Sequence, residues 1–393
     1  MKVALKDLGD IITGNTPSKR NIEFWNSKDI KFIKPDIISE NKIELINNSN
    51  EYISENARKK ARIVGKNTIF VTCIGIIGKI GIAGESEYAF NQQINAIVPN
   101  KNVIPKYIAY NLLFNKPKLE AVANAPVVPI INKSQFGEFL IDVDFDINKQ
   151  NYIVNILDKL TNIIDKKEEE LKILDNLVKS RFTELFGNLN TNEMGWDEIP
   201  LIDACNQLKR YPTFCNMEYL PNGIKVIRIG NILADGSMDE NDKNYVFVYD
   251  EANVDFPDTV IELQDIVMAV RGDGSAAKRI GIIQEEKLVG ANISPNLIKI
   301  RANKEIMEPM WLFYYLTSEV GQKRLDAYVN KTAKKNIAAK DIAKVITPVP
   351  SISIQQQFTA FVSEVDKSKL AVEKSLKELE ILKKSLMQKY FGN

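Results

Sequence analysis

From residue 150 onward, apolar side chains recur at alternating three- and four-residue steps: Ile153, Leu157, Leu160, Ile164, Lys167, Leu171, Leu174, Val178, Arg181, Leu185. This is the seam of a coiled-coil helix. Adding 205 to each number gives Phe358, Val362, Val365, Lys369, Val372, Leu376, Leu379, Lys383, Leu386, Tyr390, so the same seam returns at the other end of the chain. The two stretches also close alike, on Leu185-Phe186-Gly187-Asn188 and Tyr390-Phe391-Gly392-Asn393. A helix with an apolar seam needs a partner, and the chain carries one of equal length. The pattern predicts two long helices that pair with each other, over 148–188 and 351–393, each preceded by a globular domain, over 1–147 and 189–350.

Inside the first domain the spacing changes from 3.6 to 2. Residues 29–34 alternate polar and apolar, as a half-buried strand does. The stretches 67–73 and 76–83 are apolar, β-branched and punctuated by Gly75, Gly78, Gly81 and Gly84, which predicts two strands joined by a tight turn. Residues 107–114, after Pro105, have helical character. Gly14-Asn15-Thr16-Pro17-Ser18 predicts a loop.

The second domain repeats this order. Ile30-Lys31-Phe32-Ile33-Lys34 returns as Ile224-Lys225-Val226-Ile227-Arg228, and the stretch 91–97 as 292–298. Pro105, Tyr110 and Leu112 recur as Pro309, Tyr314 and Leu316, and 131–143 recurs as 337–349. The chain is a tandem duplication of a domain followed by a helix. Gly14-Asn15-Thr16-Pro17 is matched to Lys209-Arg210-Tyr211-Pro212, while Gly272-Asp273-Gly274 has no evident counterpart. Antiparallel pairing of the helices would relate the halves by a pseudo-twofold axis, and about 38 helical residues would span on the order of 55 Å, roughly 17 base pairs of duplex. Parallel pairing stays open on the residues alone.

Composition narrows the chemistry. The 393 residues suit two domains plus connecting elements. There is no histidine, which removes imidazole-activated nucleophiles, His-containing zinc sites and a histidine base. Three cysteines, Cys73, Cys205 and Cys215, make no disulfide framework and agree with a reducing, cytoplasmic setting. The longest apolar run, 71–84, contains Lys79 and several glycines and is too short to span a membrane, and the N-terminus lacks the pattern of a secretory signal. Net charge is +1 overall, and +4, −1, −4 and +2 over 1–144, 145–188, 189–350 and 351–393, so charge by itself does not point to nucleic acid.

Catalytic motifs fail on inspection. Glu40 follows Asp36 by four residues, whereas a metal nuclease places its acids on separate strands. Gly78-Lys79 is followed by Ile80 and preceded by Cys73 where a phosphate loop needs Ser/Thr and Gly. No Asn/Asp-Pro-Pro-aromatic tetrad of adenine methyltransferases occurs. The chain is expected to have no active site, no cofactor and no metal.

The tandem order, the Thr16-Pro17-Ser18 loop after Leu8-Gly9-Asp10-Ile11, the Ile33-Lys34-Pro35-Asp36-Ile37 strand exit, and a helix opening on Gln355-Gln356-Gln357-Phe358 and closing on 386–392 resemble the DNA specificity subunit of type I restriction-modification systems. The resemblance covers the whole chain. It implies an α+β fold of two mixed α/β target-recognition domains in pseudo-twofold arrangement, joined by an antiparallel coiled coil. It also implies a non-catalytic subunit that reads a bipartite sequence in double-stranded DNA, docks two adenine methyltransferase subunits and joins two restriction/translocase subunits.

Base edges in the major groove are read by Arg, Lys, Asn and Gln, while lysines and hydroxyls hold phosphates. Candidates in the first domain are Thr16, Ser18, Lys19, Arg20, Lys34, Lys79, Gln92, Gln93 and Lys133. In the second they are Lys209, Arg210, Tyr211, Arg228, Arg271, Lys278, Arg279, Lys334 and Lys335. Each could equally be a solvated surface group. The basic seam residues Lys167, Arg181, Lys369 and Lys383 either snorkel out of the coil or face methyltransferase subunits. Ile163, Ile173, Leu177, Phe182, Phe361, Leu370, Ile381 and Leu382 flank the seam and widen the apolar stripe, which predicts a third packing surface. A competing reading is a structural or adaptor protein whose domains bind proteins across a coiled-coil spacer.

Overall fold

A computed structural model describes residues 1–123, 128–211, 217–270, 279–330 and 336–392. The chain forms two compact units, Met1–Glu170 with Val372–Asn393, and Leu171–Ala371. Each is a mixed α/β body that includes part of both long helices, Ile147–Phe186 and Ile352–Phe391.

The first unit opens with Lys2–Ala4 paired antiparallel to Leu140–Asp142. A five-stranded sheet follows in the order Gly9–Thr13, Ile94–Pro99, Ile69–Thr72, Ile80–Ala83, Glu44–Ile46. A second sheet has the order Glu51–Ile53, Ile30–Ile33, Tyr88–Phe90, Ile63–Val64, with Ile30–Ile33 and Tyr88–Phe90 parallel. Ile69–Thr72 and Ile80–Ala83 are buried along their whole length, which explains their continuous apolar spelling.

The second unit repeats this plan with one strand fewer in each of its two larger sheets among the described residues. Asp197–Pro200 pairs with Ile346–Val349. One sheet runs Cys205–Arg210, Leu297–Ala302, Ile266–Ala269, Ile280–Ile282, and the other runs Val246–Val248, Ile224–Ile227, Asn292–Ile293, again with the last two parallel. Single backbone bonds recur too. Asn91 N donates to Ile33 O at 3.1 Å, as Ser294 N does to Ile227 O at 2.9 Å; Ile131 N donates to Cys73 O at 2.9 Å, as Ile337 N does to Val270 O at 3.2 Å. The duplication read from the sequence is therefore a duplication of hydrogen-bond topology.

Two local expectations need correction. The second strand of the glycine-rich pair starts at Ile80, not at residue 76, because the Thr72 hydroxyl donates to Ile76 O at 2.5 Å and accepts from Lys79 N at 3.0 Å, closing a wider loop over 73–79. Gly75 and Gly78 sit at φ 78° and 77°, where side chains are disfavoured. Lys209 and Arg210 end the strand Cys205–Arg210, with Arg210 opposite Ile298 as Thr13 stands opposite Asn95, so Gly14 is matched by Tyr211 rather than by Lys209. Gly272-Asp273-Gly274, for which the sequence shows no evident counterpart, lies outside the described residues.

The seam is occupied as its spacing demands. In the first unit Ile153, Val154 and Leu157 from the start of one long helix share a core with Leu386, Met387, Tyr390 and Phe391 from the end of the other, and Leu160 and Ile164 are buried further along. In the second unit Leu174, Val178, Phe182, Leu185 and Phe186 meet Phe358, Val362 and Val365. The start of one helix meets the end of the other in both, so the pairing is antiparallel. Val372 is buried, and Leu171, Leu376 and Leu379 are half-buried. Phe182, expected on an outer face, is instead inside the second core, its ring tilted 5.0 Å from Phe186 and edge-on 5.3 Å from Phe358.

Gln150 and Gln355, also 205 apart, anchor the helix starts. Both are fully buried. Gln150 accepts from Ile104 N at 2.7 Å and donates to Asp144 O at 2.7 Å. Gln355 accepts from Glu308 N at 2.8 Å and donates to Pro350 O at 2.7 Å and Ile306 O at 2.9 Å. Each ties its long helix to the residue just before the Pro105–Phe114 or Pro309–Thr317 helix. A primary amide suits this place because it accepts and donates at once.

Candidate nucleic-acid interface

The loop after Gly9–Thr13 is strapped to the neighbouring strands: Gly14 N donates to Ile94 O at 3.1 Å and Asn15 N to Phe90 O at 2.9 Å. A Cβ on Gly14 would lie 2.1 Å from Asn91 O, so only glycine permits this approach. The strap brings Thr16 to Gln92, whose Oε1 accepts from the Thr16 hydroxyl at 2.9 Å. Gln93 is turned inward, accepting from Asn91 Nδ2 at 2.8 Å. Ser18 O accepts from the Trp25 indole at 3.2 Å, and Lys19 stands 5.2 Å over the Trp25 ring and 3.5 Å from Glu51. Arg20 is exposed.

Lys34 leaves the strand Ile30–Ile33 directly into an ion pair with Glu51. That bond holds the Lys34 ammonium above, and the Glu51 carboxyl below, its ordinary pKa. Lys79 is half-buried and donates to Pro35 O at 3.3 Å. Lys133 is exposed in the first turn of Lys133–Gly137, a helix capped by Asn132 and Gln135, and borders a cavity of about 310 Å³ with Thr13 and Arg62. Thr16, Lys19, Lys34 and Gln92 thus gather around one end of the first unit's sheets; Lys79 and Gln93 are engaged with backbone and side chains of the frame.

In the second unit Lys209 pairs with Asp258 at 2.7 Å, and Arg210 donates twice to Pro295 O, at 3.1 and 2.9 Å. Tyr211 is buried against Phe256, ring centroids 4.5 Å apart. Arg279 is exposed and donates to Ile232 O at 3.0 Å. Arg228 lies over the Tyr219 ring at 5.7 Å and donates to Asn244 O at 3.3 Å. Arg271, Lys278, Lys334 and Lys335 lie outside the described residues.

Two recesses were not foreseen. One, of about 500 Å³, is lined by Lys19, Trp25, Lys28, Asn50, Glu51 and Tyr52, with Lys28 5.5 Å over the Tyr52 ring. The other, of about 590 Å³, lies between Tyr219, Arg228, Lys243, Asn244, Ser294 and Asn296. Cations beside partly exposed aromatic rings form surfaces suited to stacking and to anions. The signal in sequence was a lysine or arginine near an aromatic residue, Trp25 with Lys28 and Tyr219 with Arg228, which is too common to single out.

On the paired helices, Lys167 donates to Glu170 at 2.7 Å, Arg181 to Glu184 at 2.8 Å, and Lys369 to Asp175 at 2.5 Å. Burial pushes the Lys383 ammonium below its ordinary pKa. These four residues therefore reach outward from the seam to helix carboxylates or remain partly covered beside it. Ile163, Ile173, Leu177, Leu370, Ile381 and Leu382 are exposed, while Phe361 is half-buried near Arg181. Among the described residues no group of three or more acidic or sulfur ligands could hold a metal, and no helix is long and apolar enough to cross a membrane.

The sequence model of the type I restriction modification DNA specificity domain matches residues 1–174 and again 194–381. The chain is 26% identical over 235 residues to the type I restriction enzyme MjaIX specificity subunit of Methanocaldococcus jannaschii, spanning 58% of this chain and about half (50%) of that protein. It is 22% identical over 351 residues to the MjaVIII specificity subunit of the same organism, spanning 84% and 79%. Its fold is similar to the crystal structure of a type I restriction-modification system S subunit from M. genitalium, with TM-score 0.56 and 16% identity over 100% of this chain and 96% of that one.

Proposed function

The chain belongs to the type I restriction-modification DNA specificity family, and from that membership we propose that it is the sequence-reading subunit of such a complex, without an active site of its own. Each unit reads one half of a bipartite target in double-stranded DNA. The observation that carries this reading is the pairing of like frames with unlike surfaces. Backbone bonds recur between the units, yet the residues around the two recesses differ, as two readers of different sequences require. Loops and strand exits hold Thr16, Lys19 and Gln92 in one unit, and Arg228, Lys243 and Asn296 in the other, while the cores are spent on holding those exits in place.

The paired helices serve as the spacer and as the docking surface. Their outward Ile163, Ile173, Leu177, Leu370, Ile381 and Leu382 suit two adenine methyltransferase subunits, with two restriction/translocase subunits joining the complete enzyme. The domain extents 1–147, 148–188, 189–350 and 351–393 describe this division of labour, and a cytoplasmic setting fits it.

Purified chain incubated with duplex DNA and S-adenosylmethionine should methylate nothing. Adding its methyltransferase should give methylation at one interrupted sequence motif. Motif-independent methylation by the mixture would overturn the proposal. DNA binding by the assembled complex should also weaken steeply with salt, with a log–log slope near the number of phosphates engaged; a flat response favours the adaptor reading.

A further inference from the structure

Lys34 and Arg228 stand at the same point of the two frames. Each follows the matching strand, and each carbonyl closes the 3₁₀ turn that comes next, accepting from Ile37 N at 3.3 Å or from Asn231 N at 2.9 Å. The strand opposite differs in one decisive residue. In the first unit Phe32 is paired with Glu51; in the second, Val226 is paired with Val246. Valine therefore stands where the first unit keeps a carboxylate.

The consequence is a difference in charge saturation. Glu51 takes up Lys34 and also lies 3.5 Å from Lys19. Among the described residues Arg228 has no such counter-charge. Its Nη2 donates a long bond of 3.3 Å to Asn244 O, its plane rests on Tyr219, and its Nε is enclosed without a partner. Asp239, the acidic residue on the rim of the adjoining recess, already accepts from Asn241 N at 2.8 Å and Asn244 Nδ2 at 2.6 Å. A cation with an unmet donor, beside a recess of about 590 Å³ that Val246 helps to line, is a group kept available.

We infer that Arg228 is a base-reading residue of the second unit that takes the edge of a guanine, whereas Lys34 at the equivalent place serves the fold. The inference rests on the DNA-recognition reading above. A guanidinium presents two N–H groups in a rigid planar fork that matches guanine O6 and N7, whereas a lysine brings a single ammonium on a flexible stem. Leaving the weak bond to Asn244 O costs little when two acceptors arrive together, and the Tyr219 ring keeps the fork planar to its target. Lys243, Ser294 and Asn296 on the rim would hold the neighbouring backbone and bases.

The test is a map of methylated sites in cells that carry the complete system, with Arg228→Ala, Arg228→Lys and Val246→Glu compared with the natural chain. Both Arg228 variants should relax one G·C position in one half-site, by on the order of tenfold or more in relative methylation, and leave the other half-site as it was. Val246→Glu should relax the same position by giving Arg228 the carboxylate that Lys34 has. A half-site that stays specified shows that the subunit is folded. The inference is overturned if Arg228→Lys keeps the full motif, if Arg228→Ala lowers methylation evenly with no change of motif, as loss of a phosphate contact would, or if Val246→Glu leaves that position strict. Failure of the underlying reading looks different: the natural chain would then define no interrupted motif.

Discussion

Replacing Gln150 or Gln355 by leucine keeps the volume of a buried side chain and removes its hydrogen bonds. Gln150→Leu strands two groups, Ile104 N–H and Asp144 C=O; Gln355→Leu strands three, Glu308 N–H, Ile306 C=O and Pro350 C=O. At about 1 kcal/mol or somewhat more per stranded group, the expected losses are about 2–3 and 3–4 kcal/mol. Because the residues sit in different units, the losses should be local. Hydrogen exchange read by mass spectrometry should show amides of Pro105–Phe114 exchanging about 30-fold faster in Gln150→Leu, with Pro309–Thr317 unchanged, and the reverse for Gln355→Leu. Gln150→Glu adds a control: the ionised carboxylate can accept but not donate, so its damage should lessen as acid protonates it. Exchange in both helices within about twofold of the natural chain would refute the claim that these amides pin the long helices. Equal loosening of both units by either variant would refute its locality.

Other outcomes follow from the same structure. Phe391→Ala removes a ring packed 5.4 Å from Tyr107 and 6.2 Å from Phe114, and should cost the first unit about 3–5 kcal/mol in urea unfolding, as Phe186→Ala should cost the second. Asp366 is pushed to a higher pKa by burial first and then by Asp175 and Asp235, against Lys369. A carboxyl with a raised folded pKa favours folding while protonated and loses that advantage as pH rises through the folded value, so Asp366→Asn should stabilise the second unit at pH 7 and give no gain well below pH 4. Deleting one heptad from each seam, and so about 10 Å of each helix, should narrow the gap between methylated half-sites by roughly three base pairs; an unchanged gap would show that the helices do not set it.

Much of the architecture was legible in the sequence because it depends on periodic burial. The 3.5-residue spacing of Ile153 to Leu185 and its return 205 residues later announce paired helices, and every one of those positions is at least half-buried. The repeat of Ile30-Lys31-Phe32-Ile33 as Ile224-Lys225-Val226-Ile227 announces duplicated strands for the same reason: alternation survives divergence when one face must stay dry. The site was far less legible. Lys34 and Arg228 look alike as basic residues after a strand; only the register across the sheet, with Glu51 opposite one frame and Val246 opposite the other, separates a neutralised cation from an available one. Tyr211, a reader by composition, is a core residue because Phe256 covers it.

The order of residues by itself determined the duplicated plan, the paired helices and the lack of imidazole chemistry, since these follow from spacing and composition along one line. Which cations are free to meet a partner was decided by the tertiary structure alone. Charge neutralisation acts over a few ångströms, and those ångströms are set by strands whose paired residues lie 19 apart in one unit and 20 in the other, as Phe32 with Glu51 and Val226 with Val246 show.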